Sequence, residues 1–404
     1  MKENDLNFND LFIPMMGVVR TDTFSKMYPL INMYIMETCK LEKSRDGEVK
    51  ELLDFKTQLL NPYRRCVGGW GRDINIFFLL AEAMWIAMGR KDVNFLTIFN
   101  KQMKEYSDDG KVFHAPYGYR LRHWGIASEM GFTNKAVENN GFDQVVNAIR
   151  LLAANPLTRQ VVMEIWNPSF DLGHATKDLP CNDIVMLKIR DGKLITTIGN
   201  RSNDLHWGLP TNVFQFSFLT ELMSLALGVE LGTQTHNSQS LHIYSWNDKA
   251  NTMYNRFGKT KNCKNEDLYY GYGAVEHKID FNFVCETAVN KFKEIECVLD
   301  IILSNIETLA NGGEENKEEI ATVENTSEYF YRVYSLLKIY VSYKLKMAFC
   351  TNDAEKDASR HTAISEINVL VATDDKPWDI ATLAKNFFQT RLSSKTTNGL
   401  IGLL

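Results

Sequence analysis

A chain of 404 residues, 45% hydrophobic and 24% charged, has the balance of an ordinary globular protein, long enough for two or three conventional domains or one large α/β domain with appendages. Its net charge of −5, with no long basic run, points away from nucleic acid and anionic membranes as partners, although a small anion needs only a few local arginines. The polar start MKENDLNFND carries no signal-peptide core, and the longest apolar run, IFFLLAEAMWIAM (76–88), is too short to span a bilayer and contains Glu82.

In chain order, residues 24–38 and 74–89 read as helices, the second apolar nearly all round and therefore buried. Between them VKELLDFKTQLLNPYRR reads as a strand ending in a turn at Asn61-Pro62. Residues 141–153 suit an amphipathic helix. The texture then turns β-rich over 159–166, 183–190 and 193–200, and the Asp-Gly of RDGK predicts a hairpin between the last two. TNVFQFSFLTELMSLALG (211–228) reads as a helix stopped by Gly228, and TQTHNSQSLHIYSW returns to strand. From about 283 the pattern is helical, with a charged loop over 311–319 and further helices over 327–349 and 378–394. The expected division is a helical extension over 1–50, a catalytic core over 51–282 and a mainly helical part over 283–404. The cysteines are Cys39, Cys66, Cys181, Cys263, Cys285, Cys297 and Cys350. Their odd number, wide spacing and lack of a C-x-x-C pair favour free thiols in a reducing cytoplasm over disulfides or a zinc site.

One stretch mixes more chemistry than a structural segment needs. Cys181 follows Pro180 directly, and Arg201 lies across the predicted hairpin from it. A nearby guanidinium lowers a thiol pKa, and the thiolate is the reactive form. The other six cysteines read as small buried hydrophobes. Arg201 and Ser202 offer a charged fork plus a hydroxyl, suited to phosphate; the plainer reading is a polar turn. Asn212 heads the predicted helix, where it would serve as an N-cap or could read a nucleobase edge. His242 and Tyr244 alternate along a strand and share a face; they could bond a sugar hydroxyl or simply pack. No P-loop, G-x-G-x-x-G, H-E-x-x-H or G-x-S-x-G occurs.

The combination LPCND…GNRSNDLHWGLPTNVF…SLHIY resembles the thymidylate synthase and pyrimidine hydroxymethylase superfamily, most specifically over 156–244 and more weakly upstream through FFLLAEAMWIAMGR and APYGYR. The resemblance implies an α/β (α+β) three-layer fold with a mixed sheet and flanking helices, here with a helical C-terminal extension. It implies that Cys181 attacks C6 of a pyrimidine nucleoside monophosphate, that Glu82 organises water and proton transfer, and that Tyr117 is the active-site tyrosine. Arg201, Ser202 and Arg65 would hold phosphate, Asn212 the base, and His242 and Tyr244 the deoxyribose hydroxyl. Asp204 would contact the pterin of the co-substrate 5,10-methylenetetrahydrofolate, with no metal. A homodimer is implied, with Arg159 donated across the interface to the partner's phosphate. The chain departs from the family pattern at Gln160, Asn182 and Asn200, where a second arginine, a histidine and a glutamine are usual. Met103 and Tyr106 stand at the positions of two tryptophans.

These departures shape the expected reaction. Thiolate addition at C6 makes C5 nucleophilic, so it can take a one-carbon unit from the folate. The exocyclic methylene that results is then either reduced to methyl or hydrated to hydroxymethyl. Indoles over that carbon exclude water; NKQMKEYSDD (100–109) has none, and Glu82 could activate the water as a base. Asparagine at 212 matches uracil. The expectation is a deoxyuridylate hydroxymethylase. The alternatives are a thymidylate synthase whose space is filled by Trp124 or Trp207, a cytidylate hydroxymethylase, or a non-catalytic binder.

Overall fold

The computed structural model of the chain describes residues 17–66, 74–125, 141–247, 276, 278–372 and 379–392. The stretch 1–10, Cys263 and the outer residues of the expected helix 378–394 lie outside the described residues. Among the described residues, one mixed sheet is built from β1 (Val18–Thr21), β2 (Leu41–Ser44), β3 (Gly47–Leu59), β4 (Val161–Glu164), β5 (Asn182–Arg190), β6 (Lys193–Asn200), β7 (Asn203–Asp204) and β8 (Glu230–Tyr244). Its order is β1-β3-β8-β6-β5-β4, with β2 paired to β3 and β7 to β8. β6 runs parallel to β8 and antiparallel to β5. The hairpin expected at RDGK forms: Asp191 and Gly192 both have positive φ (52° and 70°), as a two-residue primed turn requires. The stretch 1–50 needs correction, because it is not only helical. Beside α1 (Phe24–Thr38) it supplies β1, which pairs parallel with β3, and residue 50 falls inside β3.

The helices begin where the sequence offers a capping oxygen. Thr23 caps α1, Asn75 caps α2 (Ile76–Ala87), Asp92 caps α3 (Val93–Phe99) and Asp143 caps α5 (Gln144–Ala154), while α4 (Tyr117–Arg122) follows Pro116 without a side-chain cap. α6 (Gly208–Leu227) starts three residues before the expected helix. No side chain of Trp207 caps it; Asp204, at the end of β7, accepts the Trp207 N–H instead. It stops as expected at Gly228, which is left-handed (φ 68°). Buried almost throughout, α6 lies against β6 and β8 on one side and α2 on the other. Val185, Leu187, Leu194 and Ile198 supply the sheet's part of the buried core. Burial of each such side chain contributes about 1.5–3 kcal/mol. The sheet's other face leaves Val162 and Met186 exposed.

The C-terminal part comprises α7 (Ala288–Ala310), α8 (Lys317–Thr326), α9 (Glu328–Met347), α10 (Asp353–Val371) and α11 (Asp379–Gln389). The expected loop over 311–319 is shorter, because Asn316 caps α8, and α10 was not foreseen. These helices close on α2: Phe77 stacks on Tyr340 (4.6 Å between centroids) and meets Phe387 and Phe388 (5.5 Å each). The Tyr340 hydroxyl donates to the Phe99 carbonyl (3.0 Å). Among the described residues no helix is long and apolar enough to cross a membrane.

Candidate active site

Cys181 stands immediately before β5, and Arg201 immediately after β6, so the hairpin brings them together. The Arg201 N–H donates to the Cys181 carbonyl (3.1 Å), its Nε to the Pro180 carbonyl (2.8 Å) and its Nη2 to the Leu179 carbonyl (3.3 Å). Nη2 also lies 3.8 Å from Cys181 Sγ. From the other side the Tyr117 hydroxyl accepts the Cys181 N–H (3.4 Å). The expected lowering of the thiol pKa is corrected in sign. Burial pushes it up, Arg201 and Arg45 oppose this, and Asp178 and Asp183 reinforce it. With its pKa raised above the ordinary thiol value, the thiol holds its proton at neutral pH. Burial also raises the Tyr117 phenol, so Tyr117 acts as a neutral hydroxyl.

His242 and Tyr244 share a face of β8, their rings edge to face at 5.0 Å. Ser202 is half-buried beside Arg201. Asp204 Oδ1 serves the start of α6, while its Oδ2 is buried with no hydrogen-bond partner among the described residues. An acceptor left over in this way suits the donor edge of a heterocycle such as a pterin.

Glu82 lies on α2 at a cavity of about 180 Å³ lined also by Met103, Tyr106, Tyr117, Asp178 and Gln215. Met103 and Tyr106 thus stand beside Glu82, as the resemblance required, and neither Trp124 nor Trp207 lines this space. Trp85 does contribute to the wall, but its indole N–H is committed to the Asp92 carbonyl (3.1 Å). Burial pushes the Glu82 carboxyl up to about 8, against the lowering effect of Gln215. At neutral pH it holds its proton, so it is an acid there and not the base expected. A stability test follows from the sign of this shift. Protonation of folded Glu82 contributes stability that is complete below its unfolded value of 4.5 and is lost as pH rises through about 8. Relative to Glu82→Gln, the wild type is expected to lose up to about 1.4 kcal/mol per pH unit in that window, measured by urea midpoints. Parallel curves for the two proteins would contradict it.

The arginines divide. Arg65, expected on phosphate, is 2% exposed and ion-paired to Glu221 of α6, which is 1% exposed, so it has no surface for a nucleotide. Arg159 is exposed, on the outer sheet face with Val162, Met186, Lys188 and Arg190. Arg45, at the β2–β3 turn, was missed; its charge acts on both Cys181 and Tyr244. The signal was present in SRDGE, a second Asp-Gly turn. Asp178 was also missed. One carboxylate oxygen accepts the Ala115 N–H (2.9 Å), and burial raises its pKa against Ala115, His114 and Arg120.

Asn212 is inside α6 and does not cap it. Its Oδ1 accepts from Asn182 (3.0 Å) and its Nδ2 donates to Asn203 (3.2 Å). Asn182 and Asn200, both departures from the family pattern, are bonded to each other behind it. Among the described residues no group of three His, Cys, Asp or Glu side chains is placed to hold a metal.

Comparison with known proteins agrees with this geometry. Residues 71–267 match the thymidylate synthase family. The chain is 44% identical over 202 residues to a deoxyuridylate hydroxymethyltransferase of Bacillus phage SP01, covering 50% of this chain and 51% of that one. It is 37% identical over 204 residues to a deoxyuridylate hydroxymethyltransferase of Pseudomonas phage M6 (50% and 54% covered). It is 34% identical over 141 residues to thymidylate synthase 1/2 of Encephalitozoon cuniculi (35% and 45%). The chain spans about half the length of the curated relatives it matches. The match takes in just under half of the chain, so it is the segment 71–267 that is similar to the thymidylate synthase family.

Proposed function

We propose that the protein transfers a hydroxymethyl group to C5 of deoxyuridine monophosphate, with 5,10-methylenetetrahydrofolate supplying the one-carbon unit. The carrying observation is that Met103 and Tyr106, which the resemblance sets at the positions of two tryptophans, line the cavity beside Glu82. The relatives named deoxyuridylate hydroxymethyltransferase support the same product.

In this reading Arg201, Ser202 and Arg45 hold the phosphate and fix C6 over Sγ. His242 and Tyr244 take the sugar hydroxyl, and Asp204 Oδ2 takes the pterin. Asn212 accepts from N3–H and donates to O4. Cys181 Sγ adds to C6 as its proton passes to water, and protonated Glu82 stabilises the charge that develops on O4. C5 bonds to the methylene carbon of the folate; the C5 proton then passes to water and the bond to the folate N5 breaks, which releases tetrahydrofolate and leaves an exocyclic methylene, to which water adds. Its proton passes to Asp178, the other carboxyl group in the cavity wall. The C5 enolate then collapses and expels the thiolate. The deciding experiment incubates dUMP with methylenetetrahydrofolate and identifies the nucleotide by mass while following dihydrofolate absorbance. Hydroxymethyl product without dihydrofolate is expected. Stoichiometric dihydrofolate with dTMP would make the protein a thymidylate synthase.

The same reading makes the protein a homodimer with Arg159 acting on the partner's phosphate. Support comes from Arg159 lying on the outer sheet face beside exposed Val162 and Met186. Mixing inactive Arg159→Ala and Cys181→Ser chains at equal amounts is expected to restore about a quarter of wild-type activity, since half the dimers are hybrids with one intact site each. No rescue, or a monomer by sedimentation, would remove the role in trans.

A further inference from the structure

The amides beneath Asn212 form one directed chain. Gln234 Nε2 meets His236 Nε2 (2.9 Å), and His236 Nδ1 meets Asn200 Oδ1 (3.2 Å). Asn200 Nδ2 donates to Asn182 Oδ1, Asn182 Nδ2 to Asn212 Oδ1, Asn212 Nδ2 to Asn203 Oδ1, and Asn203 Nδ2 to Ser238 Oγ (3.2 Å). An amide nitrogen only donates, so His236 Nε2 must accept; an amide oxygen only accepts, so His236 Nδ1 must carry the proton. Burial lowers the His236 pKa to about 3, which keeps the ring neutral with a single proton to place. All the links therefore point one way.

Heavy-atom positions alone would allow the reverse. Flip every amide, move the imidazole proton to Nε2, and each link is remade in the opposite sense. One end breaks this symmetry. Gln234 Nε2 also donates to the Val213 backbone carbonyl (3.2 Å). A carbonyl cannot donate, so reversal would set the Gln234 oxygen against it and leave two buried acceptors facing each other. Direction matters at Asn212, whose remaining N–H and lone pair are the ones that the functional reading assigns to the base. In the observed sense they complement the N3–H and O4 of uracil; reversed, they complement the N3 and 4-amino group of cytosine.

We propose that Gln234 and His236, anchored by the Val213 carbonyl, are positioning residues that select a 4-oxo over a 4-amino pyrimidine by fixing the orientation of the Asn212 amide. The inference rests on the functional reading above for its substrate, and on this chain's own side chains for its mechanism.

Two measurements test it. In the first, kcat/KM is compared for dUMP and dCMP in wild type and in Gln234→Met, which removes the anchor and touches no substrate. The dUMP:dCMP ratio is expected to fall at least fivefold. A smaller change, with both rates falling together, would reduce Gln234 to a packing role and overturn the proposal. In the second, nitrogen-15 shifts of His236 in the wild-type protein are read directly. A neutral ring protonated on Nδ1 is expected; Nε2–H or an imidazolium would overturn the relay even if the variant does not fold. Wild type that converts neither nucleotide would instead sink the functional reading, and the ring tautomer would still decide the relay.

Discussion

Cys181→Ser is expected to slow turnover by at least about four orders of magnitude, roughly 5 kcal/mol of barrier, while dUMP binding changes little. The separation is physical. A serine hydroxyl is a far weaker nucleophile than a thiolate, so addition at C6 fails. The loop itself is held through backbone atoms: Tyr117 on the Cys181 N–H, Arg201 on the carbonyls of Leu179, Pro180 and Cys181. Those contacts survive the substitution, so the site keeps its shape. Steady-state rates and calorimetric titration with dUMP check the two halves. Turnover within tenfold of wild type would remove Cys181 as the nucleophile.

The largest effect on stability is expected at Arg65. Arg65→Ala deletes the partner of Glu221, whose other oxygen accepts the Ile279 N–H (2.7 Å). An uncompensated carboxylate then remains 1% exposed between α6 and the chain leading to α7. Breaking one side of a buried pair in this way costs about 3–5 kcal/mol, and Arg65 also loses its place over the Phe214 ring. Urea denaturation should show a lower midpoint with unchanged slope. A midpoint equal to wild type would mean that Glu221 finds another partner. By contrast Arg45→Ala, at an exposed turn, should leave the midpoint unchanged.

What the sequence disclosed follows from how local each determinant is. The turn at Asp191-Gly192 and the stop at Gly228 are set by backbone conformations that few residues accept, so both were readable. The start of α6 was read three residues late, because its cap comes from Asp204 and not from the residue that precedes the helix. α10 escaped notice because few of its residues are buried, among them Ala363 and Ile367, so its apolar stripe is thin. In the site, Cys181, Arg201 and Asn212 are near one another along the chain, and their grouping showed. Arg65 was misread because burial against Glu221, 156 residues away, is a tertiary fact. The relay was hidden for the same reason, being drawn from β5, β6, β7, α6 and β8. A hint existed in the alternation of Gln234, His236 and Ser238, polar residues spaced for one strand face and all buried.

The closure of α9 and α11 over α2 bears on how the molecule is made. Glu82 sits on a helix whose opposite side is covered by Tyr340, Phe387 and Phe388. During synthesis Phe77 emerges 263 residues before Tyr340 and 310 before Phe387, and until they arrive it lacks these ring contacts. A nascent chain halted before α9 thus leaves that side of α2 open to its neighbours, the condition under which aggregation competes with folding.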